Sequence, residues 1–322
     1  MKTTTIRRTV LGAVLLLAAS VPAAAEDWPA RNVTVVVPVP AGVASDSMAR
    51  IVMEQVGKQL GQAFVIENRT GAGGTIGANT VAKAAPDGYT VLVYGGMAGA
   101  NALFSKLPYD TLHDFTPIMP LGQQPLAVVT APGRFKSLAD LIAAAKAKPG
   151  ELNYSTVGVG SVAHFGAERF NMAAGIKAQH IPFKGGEWLT EVIAGRIEYC
   201  VPPIATAIGA LRDGKLVALA VGSAKRSPML PEAPTLIEAG LGADAIYPFY
   251  SGLYVPAKTP PEIVQKLYKE VVKALAEPSV QERLTKLGVE PMPMTSAEFE
   301  TFFKKDVADN IVLVKAANIP TQ

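Results

Sequence analysis

The sequence predicts an α/β protein of two domains, and three observations carry that reading. The run Val33-Thr34-Val35-Val36-Val37 is β-branched with no polar break beyond Thr34, which suits a strand buried on both faces of a parallel sheet. Similar runs alternate along the chain with glycine-rich turns and with apolar residues at helical spacing, as repeated βα units require. A mature length of roughly 300 residues is long for one hydrophobic core and ordinary for two. No tandem repeat, low-complexity tract or long linker divides the chain, so the two domains are expected to share it by crossing over more than once.

The first 25 residues stand outside that pattern. Lys2, Arg7 and Arg8 precede an apolar stretch, Val10 to Ala19, that is short for a bilayer, and Ala23-Ala24-Ala25 forms a small-residue cleavage site. The expectation is a signal peptide cleaved after Ala25 and a periplasmic mature protein. Its removal takes three of the 30 basic residues and no acidic ones, leaving 27 of each sign. A formally neutral chain argues against nucleic acid or an anionic membrane as partner. Cys200 is the only cysteine, which excludes an internal disulfide and a cysteine-based zinc site and suggests a buried core residue.

The elements follow in order. Pro38 and Pro40 end the first strand, Ala41-Gly42 allows a tight turn, and Ser45 or Asp46 can cap a helix with Met48, Ile51, Val52 and Val56 on one face. Ala63 to Glu67 is a second strand, followed by the glycine-rich segment 71–77 and a helix through 80–84. Pro86-Asp87-Gly88-Tyr89 is a turn into a third strand, Thr90 to Tyr94. A loop then leads to short strands near Ile118 and over Leu126 to Thr130. Ser137-Leu138-Ala139-Asp140 opens an alanine-rich helix that stops at Pro149-Gly150. The strand Leu152 to Ser155 ends in a second glycine-rich turn, 156–161, before a helix carrying His164, Phe165 and Phe170. Strands over Ala178 to Pro182, Ile197 to Val201 and Gly214 to Val221, with a helix over Trp188 to Ala194, complete the middle of the chain. Pro261 starts one C-terminal helix and the capping box Thr295-Ser296-Ala297-Glu298 starts the last.

Few residues suggest chemistry. Gly71, Gly73, Gly74 and Gly77 have the wrong spacing for a dinucleotide fingerprint, and no G-K-[ST] follows. Ser161 does not sit in G-x-S-x-G, and His113, His164 and His180 are scattered, which disfavours a hydrolase and a metal site. What repeats is a strand end that delivers Gly, Ser or Thr to a helix start, near 41–46, 95–97 and 156–161. Ligands of open α/β sheets bind outside such strand ends, and helix N-termini favour anions.

With these segments on the page, the chain resembles the Bug (Bordetella uptake gene) or TctC family of solute-binding receptors. The resemblance rests on Val35 to Arg50, Glu67-Asn68-Arg69-Thr70-Gly71-Ala72-Gly73-Gly74, Ala84-Ala85-Pro86-Asp87-Gly88-Tyr89-Thr90 and Lys106-Leu107-Pro108-Tyr109-Asp110. It continues through Lys148-Pro149-Gly150, Gly158-Val159-Gly160-Ser161 with His164, Ile181-Pro182-Phe183-Lys184-Gly185 and Ser223-Ala224-Lys225-Arg226-Ser227-Pro228. It implies a type II periplasmic-binding-protein fold, with residues 26–124 and 247–322 in one domain, 125–246 in the other, and crossover hinge segments between them. It further implies a monomeric, non-catalytic receptor without metal or cofactor, which captures a small carboxylate and hands it to the permease of a tripartite tricarboxylate transporter. A receptor signalling to a membrane sensor kinase would use the same cleft. A secreted hydrolase built on Ser161 and His164 is the alternative of another class.

The turns and the resemblance together nominate Ala41, Gly42, Val43, Ser45, Asp46, Gly96, Met97, Thr156, Gly158, Gly160, Ser161, His164, Pro202 and Tyr250 as ligand-binding positions. Several depart from the family pattern. Val43 replaces a glycine, Gly96-Met97 replaces a Ser/Thr-His pair, Val201-Pro202 replaces a Phe-Asp pair, and the loop after Gly185 is one residue short. A less polar pocket is expected, suited to a monocarboxylate or aromatic acid rather than citrate. Asp46 is expected to cap its helix, with a ligand ammonium as the competing role.

Overall fold

The computed structural model describes residues 28–104 and 106–321, so the expected signal peptide lies outside the described residues. β1 (Val33–Val37), α1 (Ala44–Leu60), β2 (Phe64–Asn68), α2 (Thr75–Ala82), β3 (Thr90–Tyr94), α3 (Met97–Leu103) and β4 (Phe115–Gln123) come first. The chain then crosses to β5 (Leu126–Thr130), α4 (Leu138–Ala147), β6 (Asn153–Thr156), α5 (Val162–Ala174), β7 (Gln179–Pro182) and α6 (Glu187–Ile193). β8 (Tyr199–Cys200), α7 (Ile204–Arg212) and β9 (Val217–Gly222) complete that part. It returns through β10 (Tyr250–Pro256) and ends in α8 (Pro261–Ala276), α9 (Pro278–Lys286) and α10 (Ser296–Ala316).

Two five-stranded sheets result, ordered β2-β1-β3-β10-β4 and β7-β6-β8-β5-β9. The sheets are mixed: β1 pairs parallel with β2 and β3, as its composition suggests, and β6 pairs parallel with β7 and β8. β10 runs antiparallel to β3 and β4, and β5 runs antiparallel to β8 and β9. In each sheet the fourth place is filled by the strand that the chain brings over from the other sheet, entering from the opposite direction.

β1 is buried on both faces, as its composition requires. Val35 and Val37 pack with Val52, Val56, Leu267 and Val271 on one side, while Val36 joins Leu92, Tyr94, Phe299 and Phe303 on the other. Each fully buried valine contributes roughly 1.5–3 kcal/mol relative to exposure. The second sheet has its own cores, around Tyr154, Phe170 and Tyr199 on one face and Cys200, Val192 and Ile204 on the other.

The differences from expectation have local causes. β4 is a nine-residue strand despite Pro117 and Pro120, because it lies at the sheet edge, where proline costs no outer ladder bond. β10 carries Gly252 and Pro256, which obscure its strand character, yet all seven of its residues are buried. β8 is cut to two residues by the adjoining Pro202-Pro203, after which Pro203 stands at the N-cap of α7. The caps at Ser137 and Thr295 and the proline at the first position of α8 are where the sequence places them.

Candidate functional site

The turn after β1 is held from beneath by a carboxylate. α1 begins at Ala44 with Val43 at the N-cap and no side-chain cap, so neither Ser45 nor Asp46 caps it as expected. Gly42 takes the left-handed turn (φ 85°), which lets Val43 remain extended (φ −73°) with no need for a glycine there. Starting the helix at Ala44 puts Asp46 in its first turn, 1% exposed, where the carboxylate reaches back along the chain. Its Oδ2 accepts from the Gly42 N–H at 2.8 Å and Arg50 Nε at 2.9 Å. Its Oδ1 accepts from Arg50 Nη2 at 3.0 Å and Asn68 Nδ2 at 2.8 Å. Burial opposes the charge of Asp46, but hydrogen bonds from Arg50, Gly42 and Asn68 and the charge of Arg50 outweigh it and hold the carboxyl below the ordinary aspartate range. Four donors use the acceptor sites of Asp46, and Arg50 cancels the negative charge at the helix start.

The ends of β1 and β3 and the start of β10 converge beside this turn. Ser251 donates its hydroxyl to Ser45 Oγ at 2.9 Å. A Cβ on Gly95 would stand 3.3 Å from Ser45 Oγ and 2.9 Å from the Tyr250 carbonyl, so only glycine fits between the strands. Gly96 is the N-cap of α3 and offers no side-chain cap. Ser251 is a site neighbour that sequence reasoning passed over, since its strand was not anticipated. Three nominated residues, Met97, Tyr250 and Pro202, are buried. Met97 and Tyr250 pack with Phe299 and Phe303, and the Tyr250 hydroxyl donates to Asp306 Oδ2 at 3.0 Å. Pro202 is buried, and its carbonyl accepts from the Ala127 N–H at 2.9 Å.

The second glycine-rich turn follows β6. Gly158 and Gly160 have φ of 131° and 76°, backbone that other residues rarely adopt. The Gly158 N–H donates to Thr156 Oγ1 at 3.1 Å, and Thr156 Oγ1 is hydrogen-bonded to His180 Nε2 at 2.6 Å. The Gly160 N–H donates to His164 Nδ1 at 3.0 Å. Ser161 caps α5, its Oγ accepting from the His164 N–H at 3.3 Å. Ser161 and His164 therefore serve as local caps, and the bond between them runs to backbone, not from nucleophile to imidazole. The N–H groups of Val162 and Ala163 have no hydrogen-bond partner among the described residues.

The histidines are less scattered than the sequence suggests. Parallel pairing of β6 with β7 sets His180 beside Tyr154, and the rings of His164 and His180 stack with centroids 3.8 Å apart. Burial and the nearby His180 push His164 down to about 3, and burial pushes His180 down to about 4. Only the strand register reveals this pair. Among the described residues no cluster of three His, Cys, Asp or Glu side chains could hold a metal ion.

α3 links the two turns. A Cβ on Gly160 would stand 2.6 Å from Leu103 Cδ1, and one on Gly99 would stand 3.3 Å from the Phe165 ring. The helix that starts beside Ser45 and Ser251 thus ends against the second turn. Val43, Val157 and Val159 keep 41%, 48% and 45% exposure, an apolar presence in both turns.

The model for the Tripartite tricarboxylate transporter family receptor, TctC, matches residues 48–319. The chain belongs to this family. Among its relatives, BugT of Bordetella pertussis is 33% identical over 291 residues, covering 89% of this chain and 89% of BugT. Two solved structures from Rhodopseudomonas palustris are similar over nearly their whole length. MatC, with bound malate, is 34% identical with a TM-score of 0.71, covering 89% of this chain and 99% of MatC. A second protein, with adipate, is 32% identical with a TM-score of 0.75, covering 92% of this chain and all of its own. The two-domain periplasmic-binding-protein architecture of TctC receptors is the fold of this chain.

Proposed function

We propose that this TctC receptor captures a small carboxylate between the turns after β1 and β6, as a periplasmic monomer, and delivers it without catalysis to the membrane subunits of a tripartite tricarboxylate transporter. The observation that carries this reading is the pair of helix starts, α1 and α5, brought near each other by α3. α1 lacks a side-chain cap, and α5 has unpartnered N–H groups at Val162 and Ala163. Such groups favour an anion. Arg50 removes the repulsion that Asp46 would otherwise exert on it. Malate and adipate in the two Rhodopseudomonas relatives are consistent with that class.

Closure joins one domain of residues 26–124 and 247–322 to another of 125–246, with hinges where the chain crosses between sheets. Val43, Val157 and Val159 at the turns, with no polar side chain at Gly96, favour a monocarboxylate or aromatic acid over citrate. Asp46 acts as a support of its turn, since its acceptor sites are already used, and not as a partner for a ligand ammonium.

The test is a thermal-shift screen of refolded mature protein against di-, tri- and aromatic carboxylates and amino acids, followed by calorimetry. A ligand at about 100 times its dissociation constant should add roughly 2.7 kcal/mol to stability. Tight binding of citrate with no response to aromatic acids would refute the apolar-pocket reading. No response to any carboxylate would refute the function.

A further inference from the structure

We propose that His164 and His180 are positioning residues for the second turn: as a stacked pair of neutral rings they fix Gly158 and Gly160 in the conformation that leaves the start of α5 open to a carboxylate. The proposal rests on the carboxylate-receptor reading for its consequence and on the ligand-free geometry for its substance.

The two rings come from different elements, α5 and β7, and each holds a different part of the turn. His164 Nδ1 takes the Gly160 N–H directly, so it must be unprotonated there and carry its proton on Nε2. His180 holds the Thr156 hydroxyl, which in turn takes the Gly158 N–H. Tyr154 of β6 stacks on His180 at 5.1 Å and, more distantly, on His164 at 6.3 Å, restraining both ring planes. The two glycine amides are therefore spent inside the protein and not on a ligand. What they secure is the course of the backbone from Thr156 to Ser161, and hence where Val162 and Ala163 point their N–H groups.

A proton on His164 Nδ1 would set two donors face to face at Gly160, and two imidazolium rings 3.8 Å apart would repel. The titratable groups packed against the pair are Tyr154, the Glu168 carboxylate that accepts a hydrogen bond from the Tyr154 hydroxyl, and Tyr199 beyond Tyr154. Among the described residues neither imidazole has a carboxylate partner that would favour its charged form. Burial, which lowers both rings to about 3 and about 4, keeps the pair neutral where an ordinary histidine near 6.5 would titrate.

The experiment compares the mature chain with His164→Asn, which keeps an acceptor near Nδ1, and His164→Leu, which keeps bulk and loses it. Amide exchange at Gly158 and Gly160 is followed by NMR without ligand, and affinity for benzoate and adipate is measured from pH 8 to pH 5. We expect the parent and the Asn variant to hold affinity within about threefold over that range. His164→Leu should lose about tenfold in both Gly160 protection and affinity, the equivalent of one hydrogen bond. Unchanged Gly160 exchange in the Leu variant, or a parent affinity step near pH 6.5 that Asn abolishes, would overturn the proposal. If His164→Leu does not fold, His180→Phe keeps the stack, loses the Thr156 bond and is read at Gly158 with the same criteria. If neither probe binds the parent protein, the receptor reading fails for these acids, while the exchange data still decide the positioning role.

Discussion

Asp46 shows how much one residue's role depends on where its helix begins. Its position beside a glycine turn is legible in the sequence, but its role is not. A helix starting three residues later, at Ser47, would make it an N-cap; with the helix starting at Ala44, it reaches back to Gly42 and sideways to Arg50 and Asn68. Asp46→Asn keeps the shape but replaces an acceptor with a donor facing donors, so unfolding in urea at pH 7 should show a loss of about 1–3 kcal/mol. Because the native carboxyl titrates below the ordinary aspartate range, its stabilising contribution is present above the unfolded value of 3.8 and is lost as pH falls through the lower native one. The gap between parent and variant should therefore narrow in strong acid. Affinity for an amino acid that falls with Asp46→Asn while carboxylate affinity holds would return Asp46 to the ammonium role. His180 was illegible for another reason: it matters only through its strand register beside Tyr154, and a register is a property of two segments.

Elements whose signals are local were readable. β1 and β3 are apolar apart from one threonine each, and α4, α8 and α10 announce themselves by caps or a first-turn proline. β4 was readable only as a short strand near Ile118 and β10 not at all, because their prolines and glycine read as breaks until the edge position of β4 and the tight packing around Gly252 are known. The capping box of α10 offers a clean check. Thr295 Oγ1 accepts from the Glu298 N–H at 3.2 Å, and Glu298 Oε2 accepts from the Thr295 N–H at 2.8 Å. Thr295→Ala should cost about 0.5–2 kcal/mol in chemical denaturation and leave carboxylate affinity unchanged, since Thr295 and Glu298 hydrogen-bond each other and neither turn. A matching loss of affinity would mean that the start of α10 communicates with the site.

At the scale of the molecule the two sheets have one plan. β1 and β6 each hold second place in their sheet, and each feeds the turn and helix start that the binding reading uses. The two turns are therefore the same structural position in two sheets, and in the proposed reading closure on a ligand is a rotation about the crossings between β4 and β5, residues 124–125, and between β9 and β10, residues 223–249. Because each sheet embeds the strand that arrives from the other, such a rotation bends the crossings while leaving strand pairing intact, as hinge motion requires. A ligand drives it only by binding the closed form more tightly than the open one. Small-angle scattering of the mature chain should give a radius of gyration of about 19 Å without ligand, the value expected for a compact chain of this length. It should decrease when a carboxylate identified by thermal shift is added to saturation. A ligand that raises the melting temperature without changing the scattering would bind to one half alone, and the rotation about the crossings would have to be abandoned.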